Sequence, residues 1–139
     1  MRLKLLTFIF LLATVLCFGQ GLQRNNLLGL HVIDVDLNEG VTMEQFKTFF
    51  VEEVIPEYEE AWLGLQGYLI KSVRGEYKNR FGIIWIFATE PTRDYYFNED
   101  DTMNQRELDN IEKVKPIEEE LKKKYGSYTI TYMDDWIIQ

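Results

Sequence analysis

The run Phe81-Gly82-Ile83-Ile84-Trp85-Ile86-Phe87-Ala88 constrains this chain more than any other stretch. Alternate side chains of a strand leave on opposite faces, so Phe81, Ile83, Trp85 and Phe87 share one face and Ile84, Ile86 and Ala88 the other. Both faces are apolar. A sheet with one side in water alternates apolar with polar residues instead. The pattern recurs around Leu30 and Val32, which oppose His31, Ile33 and Val35, while Tyr128, Ile130 and Tyr132 oppose Thr129, Thr131 and Met133. Whatever fold forms has two sheet faces to bury.

The rest of the pattern supplies few elements to do it. A strand from about Leu28 to Leu37 leads to Thr42, an N-cap with Gln45 completing a capping box, and Phe46, Phe49, Phe50 and Val54 mark a helical face. Pro56 kinks or restarts that helix towards Trp62. A strand over Gln66 to Tyr77 turns at Lys78-Asn79-Arg80 into a strand over Phe81 to Thr89. Glu90 to Phe97 reads as a short helical piece, followed by an acidic loop. A second long helix starts near Arg106 or Glu107, is disturbed at Pro116 and stops at Gly126. Ser127 to Met133 is the last strand, and Trp136-Ile137-Ile138 either extends it or reaches across to a partner.

The order is β-α-β-β-α-β, an α+β fold with a four-stranded antiparallel sheet. Right-handed crossovers put both helices on one face of that sheet. A second copy packed sheet against sheet is the simplest cover for the other, so the expectation is a homodimer.

Residues 1–19 are set apart as a signal peptide, with a basic start at Arg2 and Lys4, an apolar run from Leu5 to Phe18 and a small-residue exit at Gly19. The run is too short to span a bilayer comfortably, and Leu16 argues against lipidation of Cys17. The ending "CFGQ" resembles exported proteins of the Bacteroidetes group. Residues 20–139 then form one domain, exported to the periplasm or the medium, with no membrane span of its own. Cys17 is the only cysteine, so this domain has no disulfide, no thiolate nucleophile and no cysteine-ligated metal. Without Arg2 and Lys4, 13 basic side chains face 23 acidic ones, about −10, which repels nucleic acid.

Two stretches carry a family resemblance. "FKTFFVEEVIPEYEEAW" is similar to the proline-interrupted first helix, and "FGIIWIFATEPTRDYYF" to the third strand and short aromatic helix, of the dimeric α/β-barrel superfamily. That superfamily of ferredoxin-like domains includes the antibiotic-biosynthesis-monooxygenase, haem-degrading, NIPSNAP and EthD families. The resemblance covers about residues 27 to 133 and implies sheet-to-sheet dimers. In the haem-degrading members it implies an Asn on strand one, a Trp on strand three and a His on the second helix. Trp85 matches the tryptophan, but strand one offers His31 and no Asn, and the second helix has no His.

The candidate site follows from what remains. Asp34, Asp36 and Asn38 space like the opening of a calcium loop, yet Glu39 stands where glycine is needed and Gln45 where the closing Glu belongs. A strand running into a turn explains them, and no metal or cofactor is expected. His31 is the only histidine. A lone strand histidine is more often a hydrogen-bonded core group than a catalyst. As a site residue it is a general base or polar anchor, with Tyr68 or Tyr132 as neighbour. Trp85, Tyr95, Tyr96, Arg93 and Tyr132 are the candidate ligand-binding residues of an aromatic cavity, although aromatics of this kind also build cores and interfaces. The leading expectation is an exported small-molecule-binding or accessory protein with an apolar or aromatic ligand. A cofactor-independent oxygenase or isomerase, with His31 and Tyr68 catalytic, and a purely structural homodimer stand beside it.

Overall fold

The computed structural model describes residues 21–139, so the expected leader lies outside the described residues. In chain order come β1 (Leu27–Leu37), α1 (Met43–Phe49), a π-helical stretch (Phe50–Val54), α2 (Ile55–Ala61), β2 (Leu65–Lys71), β3 (Phe81–Phe87), α3 (Glu90–Asp94), α4 (Gln105–Lys124) and β4 (Gly126–Ile137). The strands form one open antiparallel sheet in the order β2-β3-β1-β4.

Local chemistry sets the element ends. Thr42 Oγ1 accepts from the Gln45 backbone N–H at 3.3 Å, and Gln45 Oε1 accepts from the Thr42 N–H at 2.9 Å. Both orphan donors of the helix start are thereby satisfied. Pro56 does not end the helix. The backbone widens into the π-helical stretch just before it and restarts as α2, a way of absorbing the proline's missing donor. Asn104 caps α4 through Oδ1, which accepts from Arg106 N–H at 2.9 Å and Glu107 N–H at 3.3 Å.

The Asp34-Asp36-Asn38 stretch is the end of β1 running into a turn. Asp34 pairs with Arg80, and Asn38 Nδ2 donates to the carbonyls of Lys122 (3.0 Å) and Lys123 (3.1 Å), closing the end of α4. Gly126 follows, with φ +142° and no room for a Cβ, which would sit 2.3 Å from the Asp36 carbonyl oxygen.

Several boundaries differ from the sequence reading: β3 ends at Phe87 rather than Thr89, α3 at Asp94 rather than Phe97, and two strands change more. β2 stops at Lys71, not Tyr77, because Ser72 and Asn79 close the hairpin: Ser72 N–H donates to Arg80 O and Asn79 N–H to Ser72 O. The residues between form a turn, with Gly75 and Asn79 at positive φ. β4 runs on to Ile137 rather than ending at Met133, and the Asn25–Ile138 and Ile138–Asn26 backbone bonds extend its pairing with the start of β1.

The helices cover one face. Ile33 and Ile83 from the two central strands meet Phe46, Phe50, Val54 and Ile55 from the first helical arm and Leu121 from α4. Each such side chain contributes about 1.5–3 kcal/mol by leaving water. A second cluster joins Trp62, Leu65, Tyr96 and Val114. On the opposite face Leu30, Ile70, Ile84 and Met133 are half-buried, and Tyr68 and Trp136 are exposed.

Candidate functional site

β4 departs from simple alternation. His31 pairs with Tyr132, but Leu30 pairs with Asp134, so Met133 is an extra residue with no partner in the ladder. Bulges of this sort re-aim side chains. Here the bulge shifts the phase by one residue and places Asp135 opposite Gly29, on the helix-covered face with His31 and Tyr132. Gly29 makes the space: a Cβ there would lie 3.0 Å from Asp135 Oδ1.

Between this part of the sheet and the first half of α4 lies a cavity of about 520 Å³. Its walls are mostly aromatic. Trp85 stacks on Tyr58 (centroids 5.0 Å apart, 23°) and Tyr58 on Trp62 (5.2 Å, 8°). Phe87, Phe97 and Tyr128 continue the lining. Gly67, across the ladder from Trp85, lets the indole lie down on β2, since a Cβ would fall 2.5 Å from Trp85 Cζ3. The mouth opens along β4, where Ile130, Tyr132 and Asp135 are exposed.

Charged and titratable groups punctuate the apolar wall. Glu107 is 9% exposed, and its Oε2 accepts from Trp62 Nε1–H at 2.5 Å. Burial pushes its carboxyl above the ordinary range, against the smaller pull of Trp62 and Arg93. His31 stands edge-on to Tyr132 (centroids 5.5 Å apart, 89°), and its Nδ1 is shut off from solvent with no hydrogen-bond partner among the described residues. Burial lowers its pKa, opposed by the charge of Asp135, so the imidazole is held towards its neutral form. Burial also raises the Tyr132 phenol, helped by Asp135. Arg93 lies 3.9 Å over the Phe97 ring and donates from Nη1 to Asp101 at 2.8 Å and Asp94 at 3.5 Å. Burial works against its charge, and Asp101 outweighs it.

At the far end Glu118 Oε1 accepts from Tyr58 OH at 2.9 Å and Tyr128 OH at 2.8 Å. Burial, reinforced by Glu118, keeps both phenols protonated well above the usual tyrosine range.

His31, Trp85, Arg93 and Tyr132 therefore meet at one cavity. Tyr68 does not: it pairs with Ile84 on the opposite sheet face, 49% exposed. Tyr96 is buried against Phe87, and its hydroxyl accepts from Leu63 N–H at 2.8 Å, which makes it a wall support. Tyr95 packs edge-on against Tyr96 and under Arg106, outside the cavity. The sequence did not single out Glu107 or Asp135. Glu107 is one acidic residue in the first turn of a helix rich in charges of both signs, and the bulge that turns Asp135 inward leaves no mark in the apolar pattern.

A second groove, about 580 Å³, runs between Met43 and Phe81 and holds no buried titratable group. Among the described residues no His, Asp and Glu group converges as a metal site would, and no helix is long and apolar enough to cross a membrane. No family model matches the chain, and no curated protein matches it either.

Proposed function

We propose that the chain is a small-molecule-binding protein whose ligand, apolar or aromatic in body, enters the cavity beneath Trp85. The observation that carries this reading is the cavity itself: flat aromatic walls with a few convergent polar groups are the make-up of a small-molecule site. Thermal-shift measurement against phenols, quinones, fatty acids and haem tests it. A ligand at about one hundred times its Kd adds about 2.7 kcal/mol and raises Tm by several degrees. No shift with any of them refutes the reading.

His31 favours a second reading, a cofactor-independent oxygenase or isomerase. An imidazole whose pKa burial lowers and a carboxyl group whose pKa burial raises line one cavity, a candidate base and acid in one site. Ligand turnover abolished by His31→Gln with binding retained would distinguish enzyme from carrier.

The architecture belongs to the same proposal. Strand order β2-β3-β1-β4 with both crossover helices on one face supports a ferredoxin-like domain of the dimeric α/β-barrel kind. The apolar residues on the uncovered face support a homodimer through that face. Residues 1–19 would direct export to the periplasm or medium and be removed. Sedimentation of the processed chain as single subunits at micromolar concentration would refute the dimer.

A further inference from the structure

The cavity's charges are unequally committed. Arg93, its one cationic side chain, is tied to Asp101 and Asp94 and lies flat on Phe97. Its charge is already matched within the protein. Glu107 and Asp135 form no ion pair with any described residue. Glu107 receives one hydrogen bond, from Trp62 on Oε2, and no described residue donates to Oε1. Burying a carboxylate without a cationic partner is costly, and Glu107 is nine-tenths buried among aromatic rings. The faces of aromatic rings such as those lining the cavity carry negative quadrupole charge, which attracts cations and repels anions. His31, held neutral, adds no competing positive charge.

We propose that this cavity takes a small organic cation, a protonated or quaternary amine on an aromatic or apolar body, with its charge set against Glu107 among the aromatic faces. The proposal rests on the reading of the cavity as a small-molecule site and narrows it. Asp135, exposed at the mouth, draws the cation in, and Glu107 meets it at depth. The chain's excess of acidic side chains acts in the same direction at longer range. An anionic ligand would face Glu107, Asp135 and the ring quadrupoles with only the occupied Arg93 to hold it.

Calorimetric titration of the processed chain with four ligands of similar body separates the possibilities: benzyltrimethylammonium, phenethylamine, benzylacetone and hydrocinnamate. The two cations are expected to bind at least tenfold more tightly than the neutral ketone, and hydrocinnamate more weakly still. Glu107→Gln should weaken both cations at least tenfold and leave benzylacetone within about threefold. Benzylacetone binding as tightly as the cations overturns the charge assignment and leaves the small-molecule reading standing. Hydrocinnamate binding best overturns it in favour of Arg93. Binding of none of the four removes the cation proposal, while the reading beneath it is decided by the phenol, quinone, fatty-acid and haem screen. Should Glu107→Gln fail to fold, the ligand order on the unaltered chain and the same comparison in Asp135→Asn decide between these outcomes.

Discussion

Gly67→Ala tests the wall on which the site is built. The methyl group would fall 2.5 Å from Trp85 Cζ3, 2.9 Å from Ile55 Cγ2 and 3.0 Å from Trp85 Cε3. Carbon atoms in ordinary contact sit about 3.5–4.0 Å apart, so the indole edge has to retreat by roughly 1 Å. Moving away from β2 disturbs its stack. Trp85 stacks on Tyr58, Tyr58 stacks on Trp62, and the Tyr58 hydroxyl is fixed to Glu118. Overpacking of this kind costs about 1–3 kcal/mol, and a weakened aromatic pair about 0.5–1.5 kcal/mol more. Replacing a strand glycine returns about 0.5–1 kcal/mol of chain entropy. A net loss of about 2 kcal/mol lowers Tm by roughly 5–10 °C in a domain of this size. Near-UV circular dichroism during thermal melting reads both effects, since the stacked indoles dominate the signal. Trp85→Leu in the Gly67→Ala background removes the clashing edge and should recover part of the lost stability. A Tm within about 1 °C of the unaltered chain, with its near-UV spectrum intact, would show that the Trp85 ring does not rest on Gly67.

Four further outcomes are expected. Gly126→Ala should cost far more than Gly40→Ala by denaturant melts: both glycines have positive φ, but a Cβ at 126 meets the Asp36 carbonyl oxygen at 2.3 Å, while at 40 nothing lies within 4 Å. Near-equal losses would contradict the packing of the α4–β4 junction. Because burial raises the Glu107 pKa, the folded state holds its proton more firmly than the unfolded state does. This residue's contribution therefore falls as pH rises from the ordinary carboxylate range through the raised value, and Glu107→Gln should remove that decline from the difference in stability between the two proteins. Burial lowers the His31 pKa, so its contribution is lost as pH falls below about 6.5, and His31→Gln should flatten that acid-side loss; an unchanged slope would contradict the burial of the ring. Tyr128→Phe and Tyr58→Phe should each destabilise by about 1–3 kcal/mol through loss of a bond to Glu118, and the double variant by less than the sum. Strict additivity in calorimetry would mean the two phenols do not share the carboxylate.

Much of the frame was legible because it depends on periodicity and caps. Thr42 with Gln45, the inward set Phe46, Phe50 and Val54, and the two-sided apolar pattern of β3 all act through local chemistry. The hairpin length escaped because Val73 and Tyr77 sustain an apparent alternation where the backbone has already turned. The site was half legible. His31, Trp85, Arg93 and Tyr132 announce themselves by residue type; strand phase brings His31, Trp85 and Tyr132 together, and α3 supplies Arg93. Tyr68 fails on that same phase, since the ladder with β3 sends it to the far face. Asp135 depends on one unpaired residue, Met133, whose irregularity is decided by the ladder with β1 and not by its neighbours in sequence. Glu107 is buried because Trp62, at the end of another helix, reaches it.

The placement of β1 has a bearing on how the molecule comes into being. Its two neighbours are β3 and β4, and Leu27 at its start pairs with Ile137, so that flank closes only once β4 has docked. Until then the middle of the sheet waits with a bare flank that any foreign strand can occupy. A premature stop before Gly126 therefore yields more than a shortened protein: it leaves the central strand permanently open to strangers.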